Sequence, residues 1–219
     1  MNKYDLVRDV RTLANGVPTV LGLLDGDIQK QQSDNFLYVD HSYLRRGWEK
    51  GNFRLIRGGP HLTRIIPHKE DRLESKFNVK LQPYHSNGSH IVVLVPGEHM
   101  LKFYKEPNIA KQMADECKKY TDRHIVFKKK MDGHDLFRVL KGAWAVICPY
   151  SVAGVEAAIA GYPVFSTPRC PTWPINAGAL SDIEKPILHD RYEWANSLAW
   201  ASWHQSELRS INYREYQCV

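Results

Sequence analysis

Short β-branched runs alternate with helical stretches from His90 to Phe165, and this alternation restricts the chain to one class of fold. His90–Val95, His124–Phe127, Trp144–Cys148 and Tyr162–Phe165 have the length and composition of buried strands. Three helical stretches lie between them. In Asn108–Tyr120, Ile109, Met113, Ala114 and Cys117 recur at three- and four-residue steps. Asp135–Gly142 carries Leu136, Phe137, Val139 and Leu140. Ser151–Ala160 is rich in small residues and ends at Gly161, which suits a C′ position. Strands joined through helices run parallel, with right-handed crossovers. The expected class is α/β with Rossmann-like parallel sheets.

The first part of the chain is less regular. Val17–Leu24 and Asn35–Asp40 read as strands, and Phe53–Arg57 as an edge strand stopped by Gly58-Gly59-Pro60. Residues 67–87 are polar and weakly patterned. Ser86-Asn87-Gly88-Ser89 has the composition of a turn or linker. It divides the chain into residues 1–87 and 88–219, each of ordinary domain size. Arg191–Arg209 reads as one long helix of the second half, with Trp194, Leu198, Ala201 and Leu208 on one side.

Composition narrows the class further. Hydrophobic residues make up 43% and charged residues 25%, which argues against long disorder. No apolar run approaches the ~18–20 residues of a membrane span, and Met1-Asn2-Lys3-Tyr4-Asp5 opens no signal peptide, so a cytoplasmic location is expected. Cys117, Cys148, Cys170 and Cys218 are widely spaced, as reduced packing cysteines are. Neither they nor His189 and His204 have metal-ligand spacing, so no metal is expected. The net charge is +6, and the excess is local. Residues 41–72 carry +5, and so do residues 118–130. Such fields suit polyanions or phosphorylated small molecules, or are simply solvated faces.

Trp144–Phe165 is the segment that carries chemistry. A buried strand ends at Cys148, and a turn through Pro149-Tyr150 leads to Ser151 at the start of a helix. Open α/β sheets bind ligands at the carboxyl ends of their strands. The first N–H groups of a helix lack intrahelical partners and attract a phosphate. Ser151 can cap the helix or donate to the anion, Ala153 and Gly154 let a ligand approach the backbone, and Glu156 can accept from ribose hydroxyls. The alternative is packing alone: Ser151 an ordinary cap, Gly154 a close helix–sheet contact, Glu156 favoured by the helix dipole.

The pattern Ser151-x-x-x-x-Glu156-Ala157-x-x-x-Gly161-x-Pro163-Val164 resembles the nucleotide-sugar segment of GT-B glycosyltransferases. In that family a helix start rich in Ser and Gly holds the diphosphate, and a Glu on the helix holds the ribose. The wider chain resembles small phage-encoded glycosyltransferases. The resemblance rests on Tyr38-Val39-Asp40-His41-Ser42-Tyr43 with Arg45-Arg46 and Phe53-Arg54, on Tyr120–Ile125 with the lysines after it, and on Trp194–Leu208 with Gln205 and Glu207. It implies a nucleotide-sugar donor, UDP-linked, with no other cofactor. It also implies a GT-B-like architecture of two halves whose acceptor half is reduced, since 219 residues is short for a full GT-B enzyme.

The remaining candidates follow from that expectation. Lys128, Lys129 and Lys130 follow a strand, where Lys128 and Lys130 would neutralise a leaving diphosphate. Arg45, Arg46, Trp48, Arg54, Arg57 and Arg64 mix planar cations with an aromatic ring, as a DNA-contacting surface does. Their acceptor would be a hydroxymethylated pyrimidine of phage DNA. Transfer to a hydroxyl needs a base, for which Asp40 and His41 are first candidates and Asp25 and Asp27 second. The competing readings are a nucleic-acid-binding protein on a Rossmann-like scaffold, and a carbohydrate- or nucleotide-binding module without turnover.

Overall fold

The computed structural model of the protein describes residues 3–23, 35–46, 50–130, 135–214 and 216. Trp48, Asp25, Asp27 and Cys218 lie outside the described residues. The chain forms two units. One comprises Met1–Val79 together with Glu193–Val219, and the other Lys80–Tyr192.

The first unit is built on a four-stranded sheet, β1 (Thr19–Leu21), β2 (Leu37–His41), β3 (Asn52–Arg57) and β8 (Ser202–His204), in the order β1-β2-β3-β8. The sheet is mixed, which corrects the expectation of parallel strands here. β1 and β2 run parallel, whereas β2–β3 and β3–β8 are antiparallel. Only residues 42–51 join β2 to β3, and a parallel crossover needs about a dozen residues or more. Phe53–Arg57 is an interior strand rather than an edge, because β8 pairs with its free side. β8 comes from the segment expected as one long helix. That helix, α7 (Tyr192–Trp200), ends after Trp200. Ala201 then gives its carbonyl to the Leu55 N–H at 3.0 Å, and the Ser202 hydroxyl donates back to the Leu198 carbonyl at 2.8 Å.

One face of this sheet carries Leu37, Val39, Phe53, Leu55 and Trp203. Helix α1 (Lys3–Leu13) packs on that face through Leu6, Val7 and Val10, spaced as one helical stripe. The opposite face carries Tyr38, Asp40, Arg54 and Ile56, paired across β2 and β3. The short helix α2 (Arg72–Ser75) is capped by Asp71, whose carboxylate accepts from the Glu74 N–H. Asn196 of α7 accepts from the Arg72 and Leu73 N–H groups at 2.9 and 3.2 Å.

The second unit contains the parallel sheet expected from the sequence. Its strands are β4 (His90–Leu94), β5 (His124–Lys128), β6 (Ala143–Cys148) and β7 (Val164–Ser166), in the order β5-β4-β6-β7. All three pairings are parallel, with Ile91 opposite both Ile125 and Ala145, and Val146 opposite Val164. Helix α3 (Glu98–Tyr104) follows β4, α4 (Ile109–Cys117) precedes β5, α5 (Leu136–Leu140) precedes β6, and α6 (Ala153–Ile159) joins β6 to β7. Ala110, Ala114 and Cys117 of α4 bury against Ile91, Val93, Ala145 and Ile147. Gly154 of α6 packs against Cys148, which alternates to the other face. Among the described residues no helix is long and apolar enough to cross a membrane.

Gly161 closes α6 with φ of +95°, and Tyr162 N–H reaches the Ala157 carbonyl at 3.1 Å. A Cβ on Gly161 would lie 2.1 Å from the Pro83 carbonyl oxygen, whereas one on Gly97 would meet nothing within 4 Å. Gly161→Ala is expected to destabilise the protein by about 2 kcal/mol or more, and Gly97→Ala by less than about 0.5 kcal/mol. Urea unfolding of the two variants checks this, and similar midpoints for both would contradict it.

Candidate functional site

Numbered along the second unit, its strands stand in the order second, first, third, fourth, so the winding reverses between β4 and β6. At such a reversal the connections leave the two strands toward opposite faces, and a crevice opens outside their carboxyl ends. Two turns border it. Val95-Pro96-Gly97 follows β4, with the Val95 N–H bonded to the Lys128 carbonyl at the end of β5. Pro149-Tyr150-Ser151 follows β6.

The Ser151 turn is held from within. The Ser151 hydroxyl accepts from the Ala153 N–H at 3.2 Å, and the Ser151 carbonyl accepts from the Gly154 N–H at 3.0 Å. The Val155 N–H bonds the Val152 carbonyl at 2.9 Å. Three of the N–H groups expected to face a diphosphate therefore have partners inside the turn, and α6 begins at Ala153 rather than at Ser151. Gly154 is buried, and a Cβ there would sit 2.7 Å from the Cys148 Sγ. Its small size thus serves contact between helix and strand. Ala153 and Glu156 are half-buried in the first helical turn.

Arg169, which sequence analysis did not single out, belongs to the same edge. It follows β7 in Thr167-Pro168-Arg169, and the Thr167 hydroxyl donates to the Pro149 carbonyl at 2.6 Å, joining the turns after β6 and β7. The half-exposed Arg169 guanidinium bonds Glu106 at 2.9 Å and lies over the Tyr104 ring at 4.8 Å. Glu106 also accepts from the Tyr150 hydroxyl at 2.7 Å. Burial, and then the Glu106 carboxylate, push the Tyr150 pKa well up, so its hydroxyl stays a donor. The signal that marks Arg169 is its place after a strand in the parallel set. Lys128 is buried and its ammonium donates to the Lys129 carbonyl, while Lys129 and Lys130 are exposed.

In the first unit, Asp40 and Arg54 stand directly opposite each other on β2 and β3. Arg54 is only 3% exposed, and each of its guanidinium nitrogens has a partner: Nε the Pro60 carbonyl, Nη1 the His41 carbonyl, Nη2 the Asp40 carboxylate at 2.9 Å. The Tyr38 and Tyr43 rings flank it at 5.3 Å. Arg54 is thus a core brace and not the DNA contact expected. Arg57 is another brace, donating to the Tyr213 and Tyr216 carbonyls and to Asn35. Arg45 is exposed, has φ of +50°, and donates to the Phe77 carbonyl at 2.9 Å. Arg46 is half-buried and Arg64 exposed.

Asp40 accepts from the Tyr38 hydroxyl at 2.8 Å and from the His41 N–H at 2.7 Å. Burial alone would raise its pKa, but Arg54, the His41 N–H and the Tyr38 hydroxyl outweigh it and hold the carboxyl below its usual range. It is an ionised structural group, ill suited to take a proton at neutral pH. Half-exposed His41 contributes its backbone N–H and carbonyl to this cluster. Among the described residues, no three His, Cys, Asp or Glu side chains are grouped to hold a metal ion.

Because the folded-state pKa of Asp40 is depressed, its contribution to stability is complete above the unfolded value of about 3.9 and disappears as pH falls through the folded value. Asp40→Asn, which leaves Arg54 buried without a counter-charge, is expected to cost about 3 kcal/mol at pH 7 and to flatten the acid limb of the stability profile. Denaturant unfolding between pH 7 and pH 2.5 measures both, and a variant as stable as the parent at pH 7 would contradict the assignment.

No protein-family model and no curated protein matches the chain.

Proposed function

We propose that the protein is a glycosyltransferase whose second unit binds a nucleotide diphosphate sugar in the crevice between the turns after β4 and β6. The observation that carries this reading is the reversal of strand order at β4 and β6, the position at which parallel α/β sheets bind nucleotides. The resemblance of Ser151–Val164 to the nucleotide-sugar segment of GT-B enzymes supports it, since that segment borders the same crevice. The GT-B-like arrangement of two halves is part of the proposal.

In this reading Ser151 shapes the turn, Glu156 accepts from the ribose hydroxyls, and Arg169 carries the charge that meets the diphosphate. Arg169 suits the role because its guanidinium is half-exposed on the same edge and because bidentate pairing with phosphate oxygens matches its planar fork. Lys130, exposed after β5, adds positive potential. The acceptor is a hydroxyl compound. A hydroxymethylated pyrimidine in DNA is the proposed acceptor, with exposed Arg45 and Arg64, rather than the internally bonded Arg54 and Arg57, facing its phosphates. Asp40 is not assigned the general base, because its carboxylate is already braced by Arg54.

Calorimetric titration of UDP, its deoxyribose analogue and pyrophosphate tests the donor site. Arg169→Ala is expected to weaken all three by about tenfold or more, as loss of a charged hydrogen bond does. Glu156→Ala is expected to weaken UDP and spare pyrophosphate. Absence of binding by any nucleotide diphosphate or its sugar conjugates at millimolar concentration would remove the donor site. Donor binding without sugar release or transfer would favour a binding module. DNA affinity that falls with salt, without nucleotide binding, would favour the nucleic-acid-binding alternative.

A further inference from the structure

Two cysteines sit beneath the Ser151 turn. Cys148 is the last residue of β6, and Cys170 lies in the turn after the neighbouring strand β7. Their Sγ atoms are 3.7 Å apart, and both side chains are fully buried. Cys148 also closes the Ser151 turn. Its Sγ accepts from the Ser151 N–H and its S–H donates to the Ser151 carbonyl, both at 3.3 Å. The same sulfur is the surface on which Gly154 packs. The Cys170 sulfur lies 3.1 Å from the Thr172 hydroxyl.

We propose that Cys148 and Cys170 form a reversible disulfide whose formation unlocks the Ser151 turn. A disulfide requires the sulfurs to close from 3.7 Å to about 2.05 Å. The chemical consequence does not depend on the details of that movement. A disulfide sulfur has no proton, so Cys148 loses its hydrogen bond to the Ser151 carbonyl. The loss loosens the turn that opens α6. That this weakens nucleotide binding rests on the donor site proposed above, whereas the disulfide and the opening of the turn do not.

The two sulfurs have distinct roles. The Cys170 S–H is directed at the Cys148 sulfur, and the Thr172 hydroxyl stands 3.1 Å from the Cys170 sulfur, where it can donate to a thiolate. The Cys148 proton is instead held by the Ser151 carbonyl, and burial with the Cys170 contact pushes the Cys148 thiol up. Cys170 is therefore the attacking thiolate. Hydrogen peroxide is the oxidant, because full burial admits only a small one. The Cys170 thiolate attacks one peroxide oxygen, the O–O bond breaks, and hydroxide leaves, giving a sulfenic acid. The Cys148 sulfur then attacks the Cys170 sulfur, the S–O bond breaks, and the oxygen departs as water. The thiol protons end in the two waters formed from the peroxide. Two electrons pass from the sulfurs to the two peroxide oxygens, and a dithiol reductant returns them.

The test uses the folded full-length chain treated with stoichiometric hydrogen peroxide. Intact mass is expected to fall by about 2 Da, and a non-reducing peptide map to join the Cys148 and Cys170 peptides. Hydrogen exchange at the Ser151 and Gly154 amides is expected to quicken by about tenfold and to recover with dithiothreitol. In a Cys170→Ala variant, peroxide is expected to change neither exchange rate. Gains of about 16 or 32 Da without the cross-link, or a cross-link to Cys117 or Cys218, would overturn the proposal. So would a Cys148–Cys170 cross-link that leaves the turn amides unchanged. UDP titration separates the two proposals. A reduced protein that binds no nucleotide removes the donor site alone. UDP binding that is equal in the reduced and cross-linked forms removes the control of that site by the disulfide.

Discussion

A sheet whose strands all run parallel cannot be closed by hairpins, so each connection must return across a face and re-enter at the same end. In the second unit this constraint gathers the carboxyl ends of β4, β5, β6 and β7 along one edge. Gly97, Lys130, Ser151 and Arg169 lie far apart in sequence and yet share that edge. The reversal of strand order between β4 and β6 then selects the place along it where neighbouring connections diverge. The Thr167–Pro149 hydrogen bond joins two of the resulting turns, and the Cys148–Cys170 contact lies beneath them.

The first unit depends on buried cations instead. Arg54 satisfies the carboxyl end of β2 and the carbonyl of Pro60 while neutralising Asp40. Arg57 fastens the carbonyls of Tyr213 and Tyr216. Arg72 donates to the carbonyls of Ala199 and Ser202, pairs with Glu207 at 2.8 Å, and lies over the Trp203 ring at 4.5 Å. Each guanidinium offers five donors in one plane, which lets it serve loop carbonyls that no strand or helix can reach. Much of the positive charge of residues 41–72 is therefore internal bracing, and a count of charges overstates the basic surface there.

The turn between β6 and α6 satisfies its own donors, through the Ser151 hydroxyl and carbonyl, before any ligand arrives. A ligand at this edge would therefore meet side chains of the surrounding turns more than a fan of unbonded amides. In the proposed donor site these side chains are Arg169 and Glu156. The same turn makes Cys148, which holds the Ser151 N–H and carbonyl, the point at which core chemistry reaches the edge.

The sequence by itself determined the parallel sheet of the second unit, because β-branched runs at His90–Val95 and Trp144–Cys148 alternate with helical periodicity, and both signals are local. It also marked the end of α6, since Gly161 must take a positive φ. It did not reveal α1, whose stripe of Leu6, Val7 and Val10 is interrupted by charged residues. Nor could it separate β8 from α7, because Ala201 and Leu208 continue a helical spacing that only the pairing of Phe53 with Trp203 overrides. Of the edge residues, Ser151 and Glu156 were legible from their place in a strand–turn–helix segment. Arg169 was marked only by its place after the strand at Tyr162–Phe165, and its contacts with Glu106 and Tyr104 exist only in the folded chain. The fates of Arg54 and Arg64 differ for the same reason. Nothing in either residue's neighbours says that one faces Asp40 across a strand pair while the other faces water. Burial and cross-strand register are properties of the folded chain, and only the tertiary structure decided them.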